Sequence, residues 1–313
     1  MDQLYEQLKN YGKVKLNEPL FKHTTFKIGG PARFLVIVRE TDKLVELLNF
    51  LTGQGIDHFI LGGGSNILFN DSGYEGVVVK IMTSQLSVDR EMIMAEAGVQ
   101  LSQVVNTAAQ NGLTGMEWGV RIPGMIGGSA VGNAGAMGSD MSCVVDKIET
   151  WQDGEVKEIS NQECGYRYRG SALKDSGAVV LRVYFKLKAG DRMAIITATQ
   201  NYVKQRACRV SNNASAGCTF KNIDISDWPG NMDELDDIFK ERGKVPAGWL
   251  IEKVGYSKGS QKGNAQISNL HANIIENMGN ASQADILALV DEIKQKVYNK
   301  FKVELQEEMV VVE

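Results

Sequence analysis

Metal and disulfide chemistry have little to work with in this chain, which carries three histidines and four cysteines in 313 residues. His23, His58 and His271 are scattered, and Cys143, Cys164, Cys208 and Cys218 include no C-x-x-C pair, so neither a metal site nor a disulfide framework is expected. An excess of charge of one sign is missing too. Lys plus Arg number 34 against 38 Asp plus Glu, with no long block of either, so neither a nucleic-acid surface nor an anionic-membrane patch is indicated. No apolar run approaches the roughly 20 residues that span a bilayer. The opening Met1-Asp-Gln-Leu-Tyr-Glu-Gln-Leu-Lys9 lacks the apolar core of a signal peptide. These absences predict a cytoplasmic protein whose partner is a small molecule; a monomer is the default expectation.

What the chain does have is glycine, concentrated in two places. One is Leu61-Gly-Gly-Gly-Ser-Asn66; the other is Ile122-Pro-Gly-Met-Ile-Gly-Gly128, followed by Asn133-Ala-Gly-Ala136. Glycine lets backbone N–H groups approach a ligand, so two such loops can enclose one large polyphosphate cofactor. The first loop lacks the G-x-G-x-x-G that opens a Rossmann helix, and no Gly-Lys-Ser/Thr of a Walker loop follows it. Taken alone, it reads equally well as a tight turn between strands. The second loop shifts the balance towards a bulky occupant, because it gives up side-chain packing repeatedly within one short segment.

The length suits two or three domains, and 43% apolar residues is ample for packed cores. Short β-rich runs fall at Phe34–Val38, His58–Leu61, Gly76–Ile81, Met92–Ala97 and Val179–Leu187. Helical spacing marks Thr41–Leu51 and Leu101–Asn111, and Val144–Trp151 with Val156–Ser160 reads as a hairpin about Asp153-Gly154. After a polar stretch from Arg206 to Ala216 come a long amphipathic helix, Ser282–Phe301, and a closing strand, Val303–Val312.

The series Thr24-Thr-Phe-Lys-Ile-Gly-Gly-Pro31, Gly62-Gly-Gly-Ser-Asn66, Ile122-Pro-Gly124, Asn133-Ala-Gly-Ala136, Tyr168-Arg169, Ala216-Gly-Cys-Thr-Phe-Lys-Asn222, Ala247-Gly-Trp-Leu-Ile-Glu252 and His271-Ala272 resembles the UDP-N-acetylenolpyruvoylglucosamine reductase family, nearly end to end. The resemblance implies a flavoprotein of peptidoglycan synthesis. NADPH reduces non-covalent FAD, and the flavin reduces the enolpyruvyl ether to give UDP-N-acetylmuramate, in ping-pong order. It implies an α+β fold: an FAD-binding domain of the vanillyl-alcohol-oxidase type in two parts, 1–83 and 84–205, and a C-terminal α/β substrate-binding domain, 206–313, whose last strand returns to the active site. FAD would lie on Gly62, Gly63, Gly64, Ser65, Asn66, Ile122, Pro123, Gly124, Gly127, Asn133, Ala134 and Gly135.

By the same resemblance, Arg169, Cys218 and Glu308 are catalytic, and Asn222, His271 and Arg206 contact the substrate. Hydride delivered to the outer enolpyruvyl carbon leaves negative charge delocalised into the adjacent carboxylate. A guanidinium fork suits that charge, and a protonated group must then supply the carbon. Arg167, in the same run as Arg169, reads instead as a solvated residue. Cys218 stands where the family mostly has serine; a thiol near its reference pKa of about 8.5 is largely protonated at neutral pH and releases its proton far more readily than a hydroxyl. As a free cysteine, it can also be merely a small packing residue. Glu308, facing a substrate carboxylate, is expected to carry a proton, with Glu307 on the opposite face of the strand.

Several positions depart from the pattern. Arg121 occupies a glycine's place, either adding a cation for the pyrophosphate or forcing the loop outward. His23 replaces an asparagine, Gln306-Glu307 replaces Glu-Pro, and Val310 replaces an arginine. Asp224–Lys244 is a surface insertion, and the interval from Val183 to Cys218 is too short for the additional substrate-covering loop of some members. Two rivals remain open at this point: an alcohol or sugar oxidase of the same fold, and a non-catalytic nucleotide-sugar-binding paralogue.

Overall fold

Alternating and continuous apolar runs become strands where expected, and those strands carry both glycine turns. The computed structural model describes residues 3–207 and 212–313. The described chain divides into two units: one of residues up to Glu18, Ala32–Gly64 and Tyr74–Arg206, the other of Pro19–Pro31, Ser65–Gly73 and the chain from Ala207 on.

In the first unit, a four-stranded sheet runs in the order Lys13–Pro19, Pro31–Val38, Tyr74–Ile81, His58–Leu61. Tyr74–Ile81 pairs in parallel with both neighbours, Leu35 and Phe59 each lying opposite Val78. Parallel neighbours require crossovers, and the Thr41–Gly53 helix supplies one, burying Leu44, Leu47, Leu48 and Leu51. The second sheet has five antiparallel strands in the order Glu155–Ser160, Val145–Gln152, Val179–Lys186, Met92–Glu96, Leu86–Asp89. Its hairpin turns on Asp153 and Gly154 at φ 50° and 88°, the left-handed pair that a two-residue turn between twisted strands requires.

The second unit is built on a sheet ordered Ala214–Cys218, Ile274–Asn277, Ala265–Ile267, Gln261–Lys262. The Gln283–Phe301 helix of this unit buries Ile286, Leu289, Val290, Ile293 and Val297, the stripe legible in sequence. Ser282 starts it with a capping box: its hydroxyl accepts from Asp285 N–H, and the Asp285 carboxylate accepts from Ser282 N–H. Ile67–Phe69 pairs in parallel with Val310–Val312.

One expectation fails, and one element goes unforeseen. Residues 303–312 are not one strand: Glu307 makes an isolated bridge to Phe220, and only Val310–Val312 is a strand. The segment changes partners midway, pairing first with residues 219–221 and then with 67–69. A helix, Arg192–Ala207, also fills the interval before the second unit. Only Ile195 of it is buried and Met193 is 68% exposed, so it has no apolar stripe by which periodicity could reveal it. Cys208 lies outside the described residues.

The insertion is folded rather than loose. Its base closes where Ile223 pairs with Val245 and Asp224 with Lys244. The Lys244 ammonium, 2.6 Å away, holds the Asp224 carboxyl well below the usual carboxylate range. Trp228 packs with Trp249 and Phe301, at ring centroid distances of 6.2 and 5.6 Å. Among the described residues, no helix is long and apolar enough to cross a membrane.

Candidate functional site

In the first unit the two glycine loops meet. A Cβ placed on Gly63 would lie 3.2 Å from the Cα of Gly124, closer than side chains normally approach, so these two turns touch only because neither bears one. Gly124 has φ 127°, open to glycine and hardly to other residues. A Cβ on Gly62 would find nothing nearer than Met125 at 3.8 Å, and one on Gly128 nothing within 4 Å. This stretch of main chain therefore has room on its outer side for a large ligand, and the residues fit a polyphosphate cofactor. A second feature agrees. Trp118, 2% exposed, keeps an indole N–H with no acceptor among the described residues, three residues ahead of Arg121.

Other members of the set also serve packing. Space for a Gly127 side chain is taken by Ala97, whose Cβ would lie 2.9 Å away, where the Ile126–Val131 helix sits on the sheet. Gly135 is crowded by Asp140 across a two-residue pairing. Ile122 N–H bonds to Gly119, and Ala134 accepts from Met141 N–H. Pro123 is exposed.

Arg121 takes up φ 57°, the left-handed conformation that explains why a glycine would suit its place. The loop stays against Gly63, so the larger residue has not driven it outward. Because a side chain in this region costs about 1–2 kcal/mol, Arg121→Gly is expected to raise the melting temperature. Thermal unfolding of the flavin-loaded protein checks this, and a lower melting point would mean that the Arg121 side chain holds the loop.

Arg169 sits on a two-residue turn closed by Arg167 N–H to Gly170 O at 3.0 Å and Gly170 N–H to Arg167 O at 3.1 Å. It occupies the turn's third position with φ 54°, where type II turns favour glycine. An arginine kept there at the cost of strain points to use of its side chain. Its guanidinium lies 5.3 Å from the Tyr168 ring centroid. Arg167 is exposed and paired with Asp175 at 2.6 Å, as a solvated residue would be. Asn133, 3% exposed, ties this turn to the glycine-rich segment: its amide donates to Asp140 Oδ2 and to Arg167 O, both at 3.1 Å. Beneath the turn, burial pushes the Cys164 thiol up and the Tyr166 phenol far above its usual range, so neither ionises at neutral pH.

The second unit holds five of the named residues, Asn66, Cys218, Asn222, His271 and Glu308. Glu308 N–H donates to Thr219 O at 2.8 Å, which places Glu308 beside the residue that follows Cys218. Asn66 Nδ2 donates to Glu308 O at 3.0 Å, and Val310 N–H donates to Asn66 O at 2.9 Å, so Asn66 fixes the segment that bears the glutamate. Glu307 pairs with Lys294 at 2.8 Å on the long helix, and Glu308 beside it is half-buried. Cys218 is half-buried at the end of its strand, opposite Ile274. Asn222 Oδ1 accepts from Ala247 N–H at 3.1 Å, and a Cβ on Gly248 would stand 3.8 Å from His271 Cε1. His271 Nδ1 accepts from Asn273 N–H at 3.2 Å, which puts the proton of the neutral ring on Nε2.

Ser65 belongs to this unit as well, whereas Arg169 and the remaining glycine-turn residues belong to the first. Arg206, half-buried in the last turn of the Arg192–Ala207 helix, is the first unit's final residue. Sequence reasoning missed Trp118 and Asn273; a buried indole or amide leaves no local pattern to find.

Residues 209–312 match the model of the UDP-N-acetylenolpyruvoylglucosamine reductase C-terminal domain, and residues 32–160 match an FAD binding domain. A UDP-N-acetylenolpyruvoylglucosamine reductase of Caldanaerobacter subterraneus subsp. tengcongensis is 39% identical over 100% of this chain and 97% of its own length. One from Bacillus subtilis is 32% identical over 100% and 99%. Among solved structures, UDP-N-acetylenolpyruvylglucosamine reductase from Thermus caldophilus is 30% identical and superposes with a TM-score of 0.77, covering 96% of this chain and 98% of that one.

Proposed function

The chain belongs to the UDP-N-acetylenolpyruvoylglucosamine reductase family, and from that premise we propose how its own side chains serve the reaction. It is a flavin-dependent oxidoreductase of peptidoglycan synthesis, reducing UDP-N-acetylglucosamine enolpyruvate to UDP-N-acetylmuramate with NADPH. FAD, when bound, supplies the hydride relay between the nicotinamide and the enolpyruvyl group.

The glycine turns at 62–66 and 122–135 hold its pyrophosphate by main-chain N–H groups, in the part of the chain made of segments 1–83 and 84–205. Arg169 grips the substrate carboxylate through its fork and neutralises charge as it develops there. Cys218 gives its Sγ proton to the inner carbon. Glu308, protonated, hydrogen-bonds the carboxylate and restores the proton at Cys218. Asn222, His271 Nε2–H and Arg206 hold the nucleotide-sugar side of the substrate, within segment 206–313. The reaction takes place in the cytoplasm, where NADPH and nucleotide sugars are made, and the monomer is the working unit.

The observation that carries this assignment is the Glu308–Thr219 hydrogen bond, which sets the two proton-bearing residues on paired segments of one unit. Glu308→Gln tests it. Glutamine keeps a hydrogen-bond donor but has no proton to pass on, so reduction by NADPH and substrate affinity should hold while turnover of the enolpyruvyl sugar falls on the order of tenfold or more. Equal losses in both half-reactions would contradict the role.

A further inference from the structure

Asn273 has none of the roles above, yet it holds the segment on which two of them depend. The residue is 2% exposed, and its amide is committed to the main chain of a single residue: Oδ1 accepts from Phe220 N–H at 3.0 Å and Nδ2 donates to Phe220 O at 2.8 Å. Phe220 lies opposite Glu307 at a bridge whose bonds are made by its neighbours, Lys221 N–H to Gln306 O and Glu308 N–H to Thr219 O. In an antiparallel ladder, a residue between two such bonds turns its own N–H and C=O to the other side. On that side the partner strand gives out, because its register with Ala214–Cys218 reaches the Cys218–Ile274 pair and goes no further. The Asn273 amide stands in for the missing peptide, satisfying both groups of Phe220 where an unpaired buried pair would be costly. Its main chain extends the hold: the carbonyl accepts from Thr219 N–H at 2.8 Å, and the N–H donates to His271 Nδ1 at 3.2 Å.

We propose that Asn273 is the positioning residue of the proton-delivery step. It keeps the Cys218–Asn222 segment extended and in register, sets the Glu308 backbone against that segment through Thr219, and holds His271 as the Nε2–H tautomer. This rests on Cys218 being the proton donor, and the test separates the two claims. Asn273→Asp keeps the shape and the acceptor for Phe220 N–H but faces the Phe220 carbonyl with an oxygen. Asn273→Ser adds no charge and is too short to reach both groups, so it carries the same comparison should the aspartate variant not accumulate as holoenzyme.

In the holoenzyme, bleaching by NADPH should change by no more than about twofold, and the dissociation constant of the enolpyruvyl sugar nucleotide, read by calorimetry, should rise by a smaller factor than the rate of colour return falls, since Asn222 and His271 flank the clamp. Return of the yellow colour on adding that substrate should slow on the order of tenfold to a hundredfold, the scale of loss from a displaced catalytic group. Placed in a Cys218→Ala background, the same substitution should add almost nothing, because it acts through the thiol. An unchanged rate of colour return, effects that multiply independently in the double variant, or matching losses in both half-reactions would overturn the proposal. A normal rate in Cys218→Ala alone would instead remove the donor assignment and leave the Asn273 single-variant result to be judged separately.

Discussion

Cys218→Ala is expected to leave bleaching of the flavin by NADPH at its normal rate and to slow its return by the enolpyruvyl sugar nucleotide by about 10² to 10⁴, the usual range for a lost general acid. The size follows from what the residue has to do. Carbon is a poor proton acceptor, and the charge left after hydride delivery is quenched before the hydride returns only if a proton donor is already in place. In the proposed mechanism Cys218 supplies the proton, from a half-buried strand end whose neighbours are hydrogen-bonded to the Glu308 and Asn273 segments. Cys218→Ser should retain much of the activity, since a hydroxyl at the same place can donate, though less readily. Stopped-flow absorbance on the two half-reactions distinguishes these outcomes. An alanine variant with a normal second half-reaction would reduce Cys218 to a small packing residue.

Arg169→Lys should cost a comparable amount, on the order of 10² in the same half-reaction, although the charge is kept. A lysine is a point charge and cannot present two parallel N–H groups to a carboxylate. The backbone makes the case sharper. Arg169 is held at φ 54° in a turn whose third position favours glycine, and lysine there bears the same strain, so stability should barely move while the rate falls. Arg169→Gly is the natural contrast: it relieves the strain and should melt higher, but it should lose the second half-reaction. Measuring thermal unfolding beside the half-reaction rates separates a functional arginine from a structural one. Equal turnover in the lysine variant would make the residue peripheral.

Much of the fold was legible because local chemistry decided it. The His58–Leu61 strand, the Asp153-Gly154 hairpin and the Ser282 cap each carry their cause within a few residues, and all stand where the sequence puts them. The helix at Arg192–Ala207 escaped because it buries almost nothing, so no stripe announces it. The closing strand was over-extended for a different reason. Alternation continues through Val303, Leu305 and Met309, all buried, but it says nothing about partners, and the chain exchanges residues 219–221 for residues 67–69 within that span.

The named site residues divide in a similar way. The glycine turns, Arg169, Cys218 and Glu308 were visible as motifs. Asn273 was not, since its clamp reaches Phe220 across 53 positions and no local pattern points there. The Asp224–Lys244 insertion was visible as a length of extra chain, while the aromatic packing of Trp228 that fixes it was not.

In the proposed reaction one bound flavin takes electrons from NADPH and passes them to an enolpyruvyl sugar nucleotide, with protonation by this chain's own side chains. Anaerobic titration tests it most directly. Purified protein should be yellow and release FAD on denaturation. NADPH should bleach it, and stoichiometric UDP-N-acetylglucosamine enolpyruvate should restore the colour with formation of UDP-N-acetylmuramate. Colourless protein that takes up no added FAD, or bleached protein that regains colour only with oxygen, would contradict the account.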